Sequence, residues 1–290
     1  MEHIVDTADG RRLAVSDGGV PDGIPVLVHY GTPNSRLQYA PDVASARERG
    51  IRFITYDRPG YGGSTPHPGR TVADCVDDCR AICTSLHLDR VLTWGVSGGG
   101  PHVLACAALL GDLVSAAASL ASVAPWGAEG LDYYAGMGGL NADDLRLYFQ
   151  DKTAARAKMD RDREEMLAAG ADELEEILKT LVSPADAAVF TPAIAAYLKQ
   201  SAAEGLGSGS EGWWEDEVAH FSPWGFDLGA IATPVLLLHG QQDRFVPFGH
   251  GEWLAAHIPG VEARLTENDG HLTLIANRVG EVHDWLLEHW

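Results

Sequence analysis

This chain is short of positive charge. Its 290 residues carry 21 Lys and Arg against 41 Asp and Glu, a formal net charge of −20 at pH 7. So little cation argues against binding to a nucleic-acid backbone or an anionic membrane surface. Cysteine is also scarce: Cys75, Cys79, Cys83 and Cys106 are all there are. The first three recur every four residues, which stacks them on one helical face where they are poorly placed to bridge one another. The expectation for all four is small apolar packing in a reducing compartment. No H-E-x-x-H, Cys/His motif or dinucleotide fingerprint occurs, so neither a metal nor a nucleotide cofactor is implied. The first residues, Met1 to Asp6, lack a basic then apolar leader, and the expected location is the cytoplasm. The uncharged run Leu113 to Ala128 falls short of the roughly 20 residues that span a bilayer. No membrane partner is expected.

Hydrophobic residues, by contrast, make up 46% of the chain, enough for a large core. His3 to Asp6 and Arg11 to Ser16 alternate apolar and polar about Asp9-Gly10, the pattern of a hairpin at a sheet edge. The short apolar run Ile24–His29 reads as a strand buried on both faces, and Ile51–Tyr56, Val91–Val96, Val114–Val123, Pro234–His239 and Val261–Thr266 read as further strands. Helical stretches fall between them at Arg36–Arg49, Val72–Leu86, Gly99–Leu110, Phe248–His257 and Leu272–His289. Strands alternating with helices imply a mostly parallel sheet covered on both faces. Between Pro125 and Pro223 the pattern turns helical, at Ala142–Ala169, Ala171–Leu181 and Pro184–Ala203. Its charge pairs Lys158/Asp162, Arg161/Glu165 and Glu175/Lys179 have i,i+4 spacing and mark solvated helix faces. Gly205 to Ser210 reads as a flexible segment ahead of Trp213-Trp214. Asp57-Arg58-Pro59-Gly60 lacks the Lys-Ser/Thr of a phosphate loop and reads as a turn that organises its neighbours.

The chemistry centres on Gly95-Val96-Ser97-Gly98-Gly99. Two glycines around a serine let a strand fold sharply into a helix with one hydroxyl at the apex. A serine hydroxyl is a weak nucleophile near neutral pH and needs a histidine as base and a carboxylate to orient it. Both follow. Gly240-Gln241-Gln242-Asp243-Arg244-Phe245-Val246-Pro247 comes after one late strand and Asp269-Gly270-His271 after the next.

These three motifs resemble the nucleophile elbow, acid loop and histidine loop of the α/β-hydrolase superfamily, in that family's order. The resemblance covers about Ile24 to the C-terminus, the helical insertion least. It implies an α/β-hydrolase fold with a core domain of residues 1–124 and 224–290 and a helical cap insertion of residues 125–223. It further implies a catalytic Ser97, Asp243 and His271; Asp269, the competing carboxylate, lies too close in sequence to reach the far nitrogen of His271 and reads as a turn former. Tyr30-Gly31-Thr32-Pro33 occupies the family's H-G-x-P loop, which carries the oxyanion hole over to the backbone N–H groups of Thr32 and Gly98. Tyr30 replaces the usual histidine, and His29 is a candidate for its role in the loop's hydrogen bonds. Trp126 and Phe245 are candidate lining residues of the substrate pocket. His102, His250 and Trp94 read as structural or surface residues.

The activity so implied is that of a cofactor-independent serine hydrolase acting on a small-molecule ester, carboxylesterase-like, through an acyl-enzyme. Proline iminopeptidase-like, lactonase and C–C bond hydrolase activities use the same machinery. A reading of another class is a non-catalytic small-ligand receptor on the same fold.

Overall fold

Alternation about Gly10 does produce the hairpin: β1 (Glu2–Asp6) pairs antiparallel with β2 (Arg12–Gly19), and β1 forms one edge of the sheet. The computed structural model describes residues 1–290, apart from the side chains of Ala171, Asp172 and Glu175. The chain continues through β3 (Ile24–His29), α1 (Ala40–Glu48), β4 (Ile51–Tyr56), α2 (Cys75–Ser85) and β5 (Val91–Val96). A single 3₁₀ turn over Ser97–Gly99 leads into α3 (Gly100–Leu109) and then β6 (Val114–Leu120). Six helices follow: α4 (Gly139–Gln150), α5 (Lys152–Ala168), α6 (Ala171–Leu178), α7 (Pro184–Ala187), α8 (Pro192–Leu206) and α9 (Glu211–His220). The chain then closes with β7 (Val235–Gly240), α10 (Phe248–His257), β8 (Glu262–Thr266), α11 (His271–Asn277) and α12 (Val279–Glu288).

The eight strands lie in the order β1-β2-β4-β3-β5-β6-β7-β8. All are parallel from β4 to β8, and β2 runs antiparallel to both neighbours. The central strands β3, β5 and β7 are buried on both faces, which is why they read as hydrophobic runs. Leu27, Ile54 and Leu237 point into one layer with α2 and α3, while Val26, Val28 and Trp94 point into the other with α1 and α12. All four cysteines are free and buried in the first layer. Among the described residues, no helix is long and apolar enough to cross a membrane.

The helices depart from expectation where a local cap outvotes periodicity. The first starts at Ala40 with a proline in its first turn, because residues 36–39 are drawn into loop contacts with β4. The stretch expected as one helix from Ala142 to Ala169 breaks at Asp151, whose carboxylate accepts from Thr153 N and Ala154 N at 3.0 Å each and so caps a new helix. The stretch from Pro184 divides at Thr191, which caps α8 in the same way, and the C-terminal one divides at Arg278. Gly205 and Leu206 are not a flexible segment: they end α8 and are buried, with Gly62 N donating to Gly205 O at 2.9 Å. Helix α9, which carries Trp213 and Trp214, has no counterpart in the sequence pattern. Lys158 pairs with Asp162 at 2.6 Å, Arg161 makes no ion pair with Glu165 among the described residues, and the Glu175 pairing lies outside the described residues.

Candidate active site

Ser97 stands at the end of β5 with φ +56, in the left-handed region that costs a non-glycine residue about 1–3 kcal/mol and persists where the surroundings over-determine it. The glycines beside it are obligatory by contact. A Cβ on Gly95 would lie 2.7 Å from Gly99 O, and one on Gly99 would lie 1.9 Å from His29 O. Behind the serine, α3 aims its free N–H groups toward the turn.

The Tyr30–Pro33 loop is pressed onto this turn. A Cβ on Gly31 would lie 3.2 Å from Ser97 Cβ, and one on Gly98 would lie 2.3 Å from Thr32 Oγ1. Neither Thr32 N–H nor Gly98 N–H has a protein acceptor among the described residues, so both can serve a developing oxyanion. Arg58 holds the loop from behind, donating to the carbonyl of Tyr30, to Gly31 O at 3.1 Å and to Thr32 Oγ1 at 3.1 Å. The Asp57-Arg58 turn thus organises its neighbours as expected, Asp57 accepting from Arg36 N and Nη1 at 2.6 Å each. Tyr30 contributes its hydroxyl to Asp42 at 3.2 Å. His29 does not fill the loop role: its Nδ1 meets Tyr56 Oη at 3.1 Å, inside the core.

Asp216, on α9, is the centre of this support. Its carboxylate, 0% exposed, pairs with Arg58 and Arg70 at 2.6 Å each and accepts from Thr32 Oγ1 at 2.7 Å and Tyr61 Oη at 2.8 Å. Burial opposes its charge, but the two guanidiniums outweigh burial and hold it well below the usual carboxylate range. Removing one partner from a buried ion network strands the others, so Asp216→Ala should cost about 3–5 kcal/mol in urea unfolding. A loss below about 1 kcal/mol would remove the network from the stability of the loop.

Asp243 and His271 meet as their motifs suggest. His271 Nδ1 lies 2.7 Å from Asp243 Oδ2, and Asp243 Oδ1 accepts from Phe245 N at 2.8 Å and Val246 N at 2.9 Å. Burial lowers the His271 pKa, but the Asp243 carboxylate and its hydrogen bond overcome this and raise it above the ordinary imidazole value. Among the described residues no hydrogen bond joins Ser97 Oγ to the His271 ring. Asp269 is turned elsewhere, accepting from Arg278 Nε at 3.0 Å and Nη2 at 2.9 Å.

Two residues of the site carry no signal in the sequence. Asp186, on α7 and 0% exposed, accepts from the backbone N–H groups of His271 at 3.1 Å, Leu272 at 2.8 Å and Thr273 at 3.1 Å. It caps α11 from a distant segment and sets the direction in which His271 leaves the chain. The Ser183 hydroxyl donates to it at 3.0 Å, and Gly270 must be glycine because a Cβ there would lie 2.5 Å from both carboxylate oxygens. His220, at the end of α9, places Nε2 3.0 Å from Gly98 O, which His102 Nδ1 also approaches at 2.9 Å. Burial pushes the His220 pKa down to about 4, so the ring is neutral. His102, His250 and Trp94 are all three buried rather than superficial.

Of the aromatic candidates, Phe245 reaches the site, its ring stacked on His271 at 4.6 Å. Trp126 instead joins an aromatic cluster, stacked on Phe149 at 4.0 Å and edge-on to Tyr133 at 4.9 Å. A groove of about 970 Å³ lies between residues 130–136 and α10 and includes neither aromatic, nor Ser97, nor His271. It touches Asp243, whose carboxylate is fully buried and turned toward His271, so the groove is not where the reacting groups converge.

Residues 24–277 match the family model described as alpha/beta hydrolase fold. The AB hydrolase superfamily protein YisY of Bacillus subtilis is 28% identical over 273 residues, 93% of this chain and 92% of that protein. The bifunctional esterase/perhydrolase DCH of Acinetobacter calcoaceticus is 27% identical over 248 residues, 84% and 83% of the two chains. Among solved structures, a thermophilic esterase from Thermogutta terrifontis superposes with a TM-score of 0.71 over 100% of both chains at 22% identity.

Proposed function

The chain belongs to the α/β-hydrolase fold family, and we propose that within it the protein is a cofactor-independent serine hydrolase of small carboxylic esters. The observation that carries this reading is the buried Asp243–His271 pair, 2.7 Å apart, in the same fold as a left-handed Ser97 beside two free N–H donors. Residues 125–223 are read as a cap over the core of residues 1–124 and 224–290. In support, α7, α8 and α9 all touch loops that follow strands: Asp186 at His271, Gly205 at Pro33, Asp216 at Thr32 and His220 at Gly98. Four free buried thiols suit a reducing cytoplasm.

In the reaction, Ser97 Oγ attacks the ester carbonyl as His271 Nε2 takes its proton, and the N–H groups of Thr32 and Gly98 receive the oxyanion. Collapse breaks the bond to the alkoxy oxygen, which leaves as the alcohol with the proton from His271. Water then attacks the acyl-enzyme with His271 as base, and the carboxylic acid departs as Ser97 regains its proton. A fluorophosphonate probe tests the reading directly. Rapid labelling at Ser97 supports it, and failure to label folded protein rejects it in favour of a small-ligand receptor. The missing Ser97–His271 hydrogen bond favours that second reading, although such bonds commonly tighten only with substrate in place.

The pH dependence follows from His271. Its base form is the active one and its pKa is raised, so kcat/KM should rise with pH through a midpoint above the ordinary imidazole value of about 6.5. A flat profile from about pH 5 to 9, with chemistry limiting, would take His271 out of the role of base.

Asp186 acts through His271 as a positioning residue. Asp186→Ala should lower kcat by about 10- to 100-fold, since small misplacements of a catalytic group cost on that order. It should also shift the pH midpoint downward, because a negative charge near the ring is lost, and Asp186→Asn should restore part of kcat. A purely structural residue would leave the midpoint where it was.

A further inference from the structure

Three elements that support the site meet in the core at a group of metal-ligating atoms. His29 is the last residue of β3, Cys79 lies mid-way along α2, and Cys106 lies on α3, the helix behind Ser97. Cys106 Sγ is 3.6 Å from Cys79 Sγ, and His29 Nε2 is 3.9 Å from Cys106 Sγ and 4.0 Å from Cys79 Sγ. Each of the three residues is only 1% exposed. Sequence alone assigns these cysteines to packing, because the two that meet across helices are 27 positions apart and the histidine belongs to a strand.

From this geometry we infer that His29, Cys79 and Cys106 form a binding site for a thiophilic metal ion of the Zn²⁺ class. A tetrahedral ion with metal–sulfur bonds of about 2.3 Å and a metal–nitrogen bond of about 2.0–2.1 Å sets its sulfurs about 3.8 Å apart and each sulfur about 3.6 Å from the nitrogen. The observed separations are within about 0.4 Å of those values. The imidazole is well oriented to be a ligand. Tyr56 Oη, 3.1 Å from Nδ1, can accept the Nδ1 proton and leave the Nε2 lone pair facing the thiols, the outer-shell arrangement that fixes a metal-bound histidine. Two thiolates and a neutral imidazole offset a divalent charge, so burial does not penalise the loaded site as it would an isolated ion. Cys75, one turn before Cys79, turns its thiol to the His102 carbonyl at 3.5 Å and lies outside the group. Cys83, one turn further along α2, does not belong to the group. The ion would tie β3, α2 and α3 together beneath Ser97 and add stability, and it has no part in ester cleavage.

The test uses the full chain, reduced and refolded anaerobically with Co²⁺, followed by Zn²⁺. The expected result is one ion per chain, with a near-ultraviolet thiolate-to-cobalt charge-transfer band and tetrahedral visible bands. Zn²⁺ should displace both, and Tm should rise with Zn²⁺ concentration, since a ligand of the native state alone stabilises it. Carboxylates of the acidic surface give no such band. Cys83→Ala should keep the band, whereas Cys106→Ala and Cys79→Ala should lose it together with the rise in Tm. Absence of the band in the reduced, folded wild-type chain would overturn the site, as would a band that survives Cys106→Ala. A Cys79–Cys106 disulfide formed in place of metal binding would overturn it as well. If either ligand variant fails to fold, the wild-type spectrum and its Tm response decide alone.

Discussion

Ser97→Ala and His271→Ala are each expected to lower kcat by roughly 10⁴ to 10⁶, and the double variant is expected to be little worse than either. The reason is that the hydroxyl is useful only when its proton has somewhere to go. Without His271 the serine is an ordinary alcohol, and without Ser97 the imidazole has nothing to activate except water. The residue left standing therefore contributes little, while the Thr32 and Gly98 N–H groups keep a residual rate above that in water. Steady-state rates on a good ester, with active-site titration to exclude contaminating hydrolase, make the measurement. Losses that multiply in the double variant would mean that the two residues act independently, which the proposed mechanism forbids. Folding should be unaffected or improved in Ser97→Gly, because glycine accepts φ +56 without strain.

The second large effect separates two carboxylates near the histidine in sequence or space. Asp243→Asn should lower kcat by about 10⁴, whereas Asp269→Asn should change it by less than about tenfold. Asp243 accepts two backbone N–H bonds on one oxygen, which leaves the other, 2.7 Å from His271 Nδ1, to hold the ring. An amide in its place can present an N–H to Nδ1, and the imidazole then adopts the tautomer that cannot take a proton from Ser97. Buried His239, with Nε2 on Val246 O at 2.9 Å and 3.7 Å from the same carboxylate, closes the far side and keeps water from substituting. Asp269 spends its carboxylate on Arg278, so its loss is felt in the α11–α12 junction. Interchanged outcomes would assign the acid to Asp269.

Most of the sheet is legible in the sequence because a strand buried on both faces has to be apolar along its whole length. The runs at Ile24–His29, Ile51–Tyr56 and Val91–Val96 match β3, β4 and β5 end to end. Helix ends are less legible. Periodicity persists across Asp151 and Arg278, and the break depends on which backbone N–H a single side chain or turn satisfies. The expectation of a flexible segment at Gly205 fails for a related reason. Its glycine is there for close approach, since a Cβ would lie 3.0 Å from Pro33 O, and a small residue at a tight contact has the same composition as a loose one.

What the sequence by itself determined is the local chemistry: which residue stands at a turn, which loop follows which strand, and hence the order of Ser97, Asp243 and His271. Each of those depends on neighbours within a few positions, such as Gly95 and Gly99 about the serine. The tertiary structure alone decided which distant groups support them. Asp186 is 85 residues from the His271 N–H it accepts, Asp216 is 184 from Thr32, and Cys106 is 77 from His29. A carboxylate or thiol looks the same in a sequence whether it faces solvent or a buried partner. Its charge, hydrogen bonds and ligand capacity are set by what surrounds it once water is excluded, and that surrounding exists only after the chain has folded.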